Sequence, residues 1–451
     1  MRLTFCGGAQ SVTGANYLLE IGETKLLIDC GLFQGSVESQ LKNYEPFPYD
    51  PAAITAVFLT HSHADHTGRL PKLYKDGFRG NLYATAPTLD VARVALPDNL
   101  SILTSEARRA GRDALYTEDD VNQMMALGKP MPYGQPIAIA PGITAVLHDA
   151  GHILGSTIVE IKAEGKRVYF SGDLGNPPSL LLEHFEYPLD ADYIVIESAY
   201  GNRAHEDRAR RKQKLQSAIR DTIRAGGVLM IPSFALERTQ ELLFELNTMI
   251  NIGEIPRVPI FMDSPLATKI TQVFQRHTAY FNEQARRMLQ HDSDLFDFPG
   301  LIYTITSEQS KHINDVPAPK IIIAGSGMSN GGRILHHERR YLSDPNSTLL
   351  FIGFQAEGTL GRRILDGATS VKIFDEIVVV RCRVQAIRGY SAHADQPMIL
   401  SWIKKGAEGG KLKKVFTVQG EENSAIALAA AIRERLGVAA EAPLPDQSVE
   451  L

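Results

Sequence analysis

The sequence predicts an α/β protein of two domains, and three observations carry that prediction. Strand-sized apolar runs recur along most of the chain, bounded by Gly, Asp or Pro and separated by helix-like segments. The length of 451 residues exceeds what one compact core usually needs, and the 44% hydrophobic and 22% charged fractions are those of an ordinary globular protein. Third, His61, His63, Asp65 and His66 crowd into six residues between an apolar run at 54–60 and a helix-like opening at 67–73. Neutral imidazole and carboxylate are borderline ligands suited to zinc, so this turn reads as metal-binding rather than as a solvated polar turn. The spacing lacks the i, i+4 pairing of ligands on a helix. An irregular loop is expected, with one pair of residues serving one ion and the next pair a neighbouring ion.

Taken in order, residues 2–6, 15–21 and 25–29 read as strands joined by Gly7-Gly8 and Gly22-Glu23, and Asp29 closes the third. The run 54–60 is the buried strand before the histidines. From 88 to 127 the composition turns helical, with Glu118, Asp119 and Asp120 behind Thr117 as acids in a first helical turn. Strands return at 137–139 and 143–148, leading to His152, then at 157–162 and 166–171, ending in Gly172-Asp173. A further strand, 193–197, ends in Glu197.

A different region follows: a charged helix over 207–225, a strand from 228 into Pro232-Ser233, and a helix through Arg238 to 249. Further strands are expected at 259–262, 320–324 and 348–353. Strands alternating with helices predict a parallel sheet. Gly325-Ser326-Gly327 at a strand end before a helix suits phosphate binding by backbone N–H groups, although a tight turn explains it equally well.

Composition narrows the function classes. The longest apolar stretches are strand-sized and the N-terminal residues lack a signal-peptide core, so no membrane association is expected. Three scattered cysteines, Cys6, Cys30 and Cys382, argue against a disulfide framework and for a cytoplasmic location. A formal net charge of -5 argues against a uniformly basic surface, while leaving room for a local cationic cleft.

His-x-His-x-Asp-His after a hydrophobic strand resembles the signature of the metallo-β-lactamase fold, a four-layered αββα sandwich with metals at one rim of its paired sheets. That resemblance implies Asp29 as a brace behind the metal loop, a role suited to a carboxylate that accepts a ligating imidazole's other N–H. It implies His61, His63 and His152 on one zinc, Asp65 and His66 on a second, and Asp173 between them. Glu197 before Ser-Ala-Tyr-Gly, and His393 in Tyr390-Ser391-Ala392-His393-Ala394-Asp395, resemble the added motifs of the β-CASP branch, in which a parallel-sheet α/β domain is inserted into the sandwich. The stretches 325–333 and 354–362 resemble its RNA-processing members, including the bacterial and archaeal relatives of the polyadenylation specificity factor endonuclease. The expected domains are therefore 1–198 and 385–451 for the sandwich and 199–384 for the insertion. With the first strand at Arg2, no N-terminal RNA-binding extension is expected.

The function so implied is a zinc-dependent ribonuclease hydrolysing phosphodiester bonds of single-stranded RNA in the cleft between two domains. Two zinc ions are expected. Asp65, Glu197 and His393 are the catalytic candidates, with Glu197 orienting His393 and His393 protonating the leaving oxygen. Ser233, Arg238, Ser326, Gly327 and Arg362 are candidates for the substrate phosphates. Endonuclease and exonuclease modes and a homodimer are all left open.

One departure stands out. Where the branch usually carries Val-His-Gly-Glu, with the His on the second metal, this chain has Val418-Gln419-Gly420-Glu421. An amide is a poorer zinc ligand than imidazole, so the second zinc is expected to bind weakly. The departure also keeps a DNA nuclease in play, and motivates an RNA-binding subunit of low catalytic power. A small-molecule ester hydrolase on the same fold is the other alternative, disfavoured by the size of the inserted domain.

Overall fold

Alternation along the early strands assigns each side chain to one of two faces. In Asn16–Ile21, Tyr17 and Leu19 enter one apolar core while Leu18 enters another. The computed structural model describes residues 1–205, 210–291 and 294–451. It divides into two compact units, Met1–Ala204 with Ala392–Leu451, and His205–Ser391.

Among the described residues the first unit holds two seven-stranded sheets. One runs Ser448–Glu450, Arg2–Gly7, Asn16–Ile21, Thr24–Ile28, Ala56–Phe58, Asn81–Ala84, Gly128–Pro130. The other runs Ala440–Glu441, Lys414–Val418, Tyr193–Glu197, Lys166–Phe170, Thr157–Ala163, Ile143–Asp149, Ile137–Ala140. Leu19, Leu26, Ile28 and Phe58 from the first sheet share a core with Leu147, Val159, Phe170, Val195 and Phe416 from the second. The outer face of the first sheet, Leu27, Val57 and Leu82, is covered by Leu70, Leu89, Leu96 and Met124 from helices Leu70–Lys75, Ala86–Arg109 and Glu118–Ala126. On the other side Ile158, Ile194 and Val415 pack against Ile399, Trp402 and Leu428 of helices Gln396–Ala407 and Glu422–Leu436. These layers make the expected αββα sandwich.

In the second unit a six-stranded sheet runs Leu301–Tyr303, Ile260–Asp263, Lys320–Ala324, Val228–Pro232, Thr348–Phe351, Arg383–Ala386. All its pairings are parallel, as the alternation of strands with helices predicted. Strand Arg383–Ala386, too polar to stand out, and the short Leu301–Tyr303 were not expected from the sequence. The charged helix expected over 207–225 is seen as Arg211–Arg224, and residues 207–209 lie outside the described residues.

The unit edges fall at 204/205 and 391/392, not at the expected 198/199 and 384/385. Residues 199–204 stay with the sandwich because Gln396 of its helix Gln396–Ala407 donates through Nε2 to Gly201 O at 2.7 Å and through N to Arg203 O at 3.2 Å. Residues 385–391 stay with the inserted sheet because Arg383–Ala386 pairs with Thr348–Phe351, and the buried Tyr390 hydroxyl donates to Glu245.

Strand ends place the histidine loop. Cys30 N donates to His66 O at 2.8 Å, Leu32 N to Ala64 O at 2.9 Å, and Ala15 N to Asp65 O at 2.9 Å. Gly31 sits where a Cβ would lie 1.5 Å from Asp65 O and 2.8 Å from His66 N. No rotamer relieves a clash with backbone. Gly31→Ala is therefore expected to lower unfolding stability by about 3 kcal/mol, at the upper end for overpacking, and to weaken metal binding with it. A denaturant midpoint within error of wild type would refute this account of the loop.

Candidate metal centre

Three strands of the second sheet that are mutually parallel, Lys166–Phe170, Tyr193–Glu197 and Lys414–Val418, deliver Asp173, Glu197 and Gln419 at their C-terminal ends. Ile143–Asp149, antiparallel to an antiparallel neighbour, runs the same way and leads to His152. From the first sheet, Ala56–Phe58 leads to His61. The five loops share one rim of the sandwich.

The expected irregular loop contains one α-helical turn, Ala64–Thr67, with His63 at its N-cap. Asp65 and His66 therefore lie on consecutive helical positions, because Thr67 and Gly68 N–H close back onto His63 and Ala64 carbonyls.

His61, His63, His152 and Asp173 converge, with ligand atoms all within 4.8 Å of one another. His61 Nε2 and His63 Nδ1 are 3.1 Å apart, and His63 Nδ1 and His152 Nε2 3.4 Å. Asp173 Oδ2 stands 3.4 Å from His61 Nε2 and 3.6 Å from His152 Nε2. A tetrahedral cation bound at its usual distance sets its donors roughly 3.4 Å apart, so four edges of such a tetrahedron are already in place. Burial, aided by neighbouring imidazoles, holds His61 and His152 well below the ordinary histidine range, in the neutral form that ligates.

A second group adjoins the first through the same carboxylate. His66 Nε2 lies 3.5 Å from Asp173 Oδ1 and 3.7 Å from Asp65 Oδ2. Asp173 Oδ1 is buried and makes no hydrogen bond. Such an atom is costly unless a cation compensates it, and the donor chemistry around Asp173 fits a bound metal. Burial opposes charge on His66, yet Asp173, Asp29 and Asp65 outweigh it and hold His66 well above its ordinary value.

Asp29 stands behind the loop in left-handed backbone, φ 60°. Its Oδ2 is 2.7 Å from His66 Nδ1, and it accepts from Thr60 N and Thr60 Oγ1, each at 2.8 Å. Thr60 Oγ1 is also 3.1 Å from His61 Nδ1. Thr60 was not singled out in the sequence. Its signal, a hydroxyl directly before His-x-His, is weak without the fold.

Glu197 and His393 meet on the other side of Asp173. Glu197 Oε2 is 3.0 Å from His393 Nδ1, and Glu197 Oε1 accepts from Leu174 N at 2.6 Å. Asp173 Oδ2 lies 3.8 Å from His393 Nδ1, and the His152 and His393 rings are 4.6 Å apart. Burial raises Glu197 and the His393 charge draws it down, leaving it at about 7. Burial also opposes charge on His393, but Glu197 and Asp173 prevail and lift it to about 9. Gln419 lies beside Asp65 and His66: its Nε2 donates to Asp65 Oδ2 at 2.9 Å and stands 3.2 Å from His66 Nε2.

The phosphate candidates all lie in the second unit. Ser233, Ser326 and Gly327 gather at the C-terminal ends of its parallel strands, where Ser233 N donates to Ala324 O and Gly327 packs on Phe234. Gly325-Ser326-Gly327 is not at a helix N-terminus, since the helix Ile334–Tyr341 begins seven residues after Gly327. Arg238 is buried and paired with Glu241, so its charge is neutralised within the unit. Arg362 pairs with Asp366 at 2.8 Å one helical turn away.

Three known domains match parts of the chain. Residues 18–174 match the metallo-β-lactamase superfamily domain, 239–364 the Beta-Casp domain, and 377–443 the Zn-dependent metallo-hydrolase RNA specificity domain. Ribonuclease TTHA0252 of Thermus thermophilus is 36% identical over 428 residues, covering 95% of each chain. The chain belongs to the β-CASP branch of the metallo-β-lactamase superfamily. Transcription termination factor FttA of Methanosarcina mazei is 31% identical over 455 residues, 97% of this chain and 70% of that protein. A solved protein of unknown function from Enterococcus faecalis shares the fold, with a TM-score of 0.58 at 13% identity over 100% of this chain and 99% of that one. As a β-CASP protein the chain is a metal-dependent hydrolase. Among the described residues no helix is long and apolar enough to cross a membrane.

Proposed function

We propose that this β-CASP protein is a zinc-dependent ribonuclease that hydrolyses phosphodiester bonds of single-stranded RNA. One observation carries the reading: the ligand cluster and the Glu197–His393 pair meet at a single buried carboxylate, Asp173. Metal ligation and proton donation are thereby a few ångströms apart, as displacement at phosphorus with an alkoxide leaving group requires. The match to an RNA specificity domain and the relative named ribonuclease support RNA as the substrate.

His61, His63, His152 and Asp173 would hold the first ion, and Asp65, His66 and Asp173 the second. When bound, the ions supply Lewis-acid polarisation of the phosphoryl group and a nucleophile available at neutral pH. Asp29 and Thr60 hold the His66 and His61 rings in orientation. Glu197, itself held by Leu174 N–H, fixes His393 through Nδ1 and leaves Nε2 to carry a proton to the departing oxygen. The His393 side chain is 29% exposed whereas that of Glu197 is fully buried, so only the imidazole is accessible to substrate.

The test compares a labelled single-stranded RNA with DNA of the same sequence, before and after dialysis against a strong chelator. Cleavage of RNA that disappears on chelation and returns with zinc is expected. Full cleavage by the thoroughly chelated protein, or cleavage of DNA alone, would sink the proposal. A second reading, an RNA-binding subunit with little cleavage, is favoured only by Gln419 at the second group. It predicts RNA retention without turnover in the same assay.

A further inference from the structure

Gln419 is a buried amide set among metal-ligand candidates, and its geometry is unusual at three points. Its backbone is left-handed, φ 47°, fixed by its N–H donating to Gly8 O at 2.7 Å. Its Nε2 donates to Asp65 Oδ2 at 2.9 Å and to Val12 O at 3.1 Å, and stands 3.2 Å from His66 Nε2. Its Oε1 is buried and makes no hydrogen bond.

The amide orientation follows from its neighbours. With Oε1 in the place of Nε2, three oxygens would meet, those of Gln419, Asp65 and Val12, with no hydrogen among them. Without a cation the Asp65 and Val12 oxygens favour the N–H end on this side, with His66 Nε2 opposing them, and Oε1 is left without a partner. A cation among Asp65, His66 and Asp173 reverses that preference, because it repels the N–H groups and attracts the carbonyl oxygen. A half-turn of the amide then turns Oε1 toward that cation.

The two groups differ in donor chemistry. The first offers three imidazole nitrogens and one carboxylate, a set suited to zinc. The second offers one imidazole, His66, the carboxylates of Asp65 and Asp173, and the Gln419 carbonyl. An oxygen-rich set suits harder ions such as Mn²⁺ and narrows the advantage that zinc holds at nitrogen-rich sites.

We propose that Gln419 ligates a second, exchangeable divalent cation of the Mn²⁺ class through Oε1, after rotation of its amide away from Asp65. The protein then carries two unlike metals, a retained zinc and an exchangeable harder ion. The proposal rests on the reading of the first group as a zinc site.

Wild-type protein, Gln419→Ala and Gln419→His are dialysed against a mild chelator, assayed for zinc by mass spectrometry, and titrated with Mn²⁺ by electron paramagnetic resonance. Wild type is expected to keep one zinc and bind one Mn²⁺. Gln419→Ala should keep the zinc and bind Mn²⁺ about 10- to 100-fold more weakly, and Gln419→His should keep a second zinc that Mn²⁺ does not displace. Two zincs retained by wild type, or one zinc with Mn²⁺ bound equally well by Gln419→Ala, would overturn this proposal alone. A folded wild-type chain that keeps no zinc would overturn the zinc reading of the first group and this proposal with it.

Discussion

His63→Ala is expected to remove metal and hydrolysis together. His63 Nδ1 is 3.1 Å from His61 Nε2 and 3.4 Å from His152 Nε2, so its loss takes one corner from the first ligand cluster. Two imidazoles and a carboxylate then remain, and metal affinity should fall by at least about 10- to 100-fold, the range seen when even a supporting residue is lost. The fold should survive. His63 supports the helical turn Ala64–Thr67 through its backbone carbonyl, which accepts from His66 and Thr67 N–H and which alanine retains. Metal per chain after dialysis, cleavage of labelled RNA and far-ultraviolet circular dichroism separate these effects. A variant that keeps its metal and its rate would remove His63 from the site.

His393→Ala should do the opposite, keeping the metals while slowing RNA cleavage by about 10² to 10⁴-fold, the usual worth of a general acid. The loss should shrink for a nitrophenyl phosphodiester, whose leaving group needs no proton. Glu197→Gln should slow cleavage as well, since the amide supplies no charge and only one oxygen for two donors, His393 Nδ1–H and Leu174 N–H. A competing arrangement is present: Asp173, Glu197 and His393 also bring ligand atoms within 4.8 Å of one another. If His393→Ala lowers metal content, or the nitrophenyl ester suffers as much as RNA, His393 is a ligand rather than an acid.

The two outcomes divide the centre between holding metal and moving a proton, and both halves were partly legible in the sequence. His61, His63, Asp65 and His66 announced themselves because four ligand-type side chains within six residues have few other uses. Glu197 and His393 were visible only through family resemblance, because a lone acid or histidine at a strand end carries no chemistry that a solvated turn does not share. Thr60 escaped notice for the same reason, although its hydroxyl bonds the carboxylate that braces His66. Arg238 looked available, and the fold pairs it with Glu241 inside the second unit.

What the sequence determined alone was local: the period-two strands, the helices between them, the ligand types and the loops that carry them. Periodicity and residue chemistry act over a few positions, so they can be read without knowing the fold. Tertiary structure decided which strand ends share a rim, bringing residues as distant as His61, Asp173, His393 and Gln419 to one place. It also decided that the Gln419 amide faces Asp65 and that the inserted unit keeps residues through Ser391. Those outcomes depend on strand pairings and close contacts between segments far apart in the chain, whose energies no short window of sequence contains.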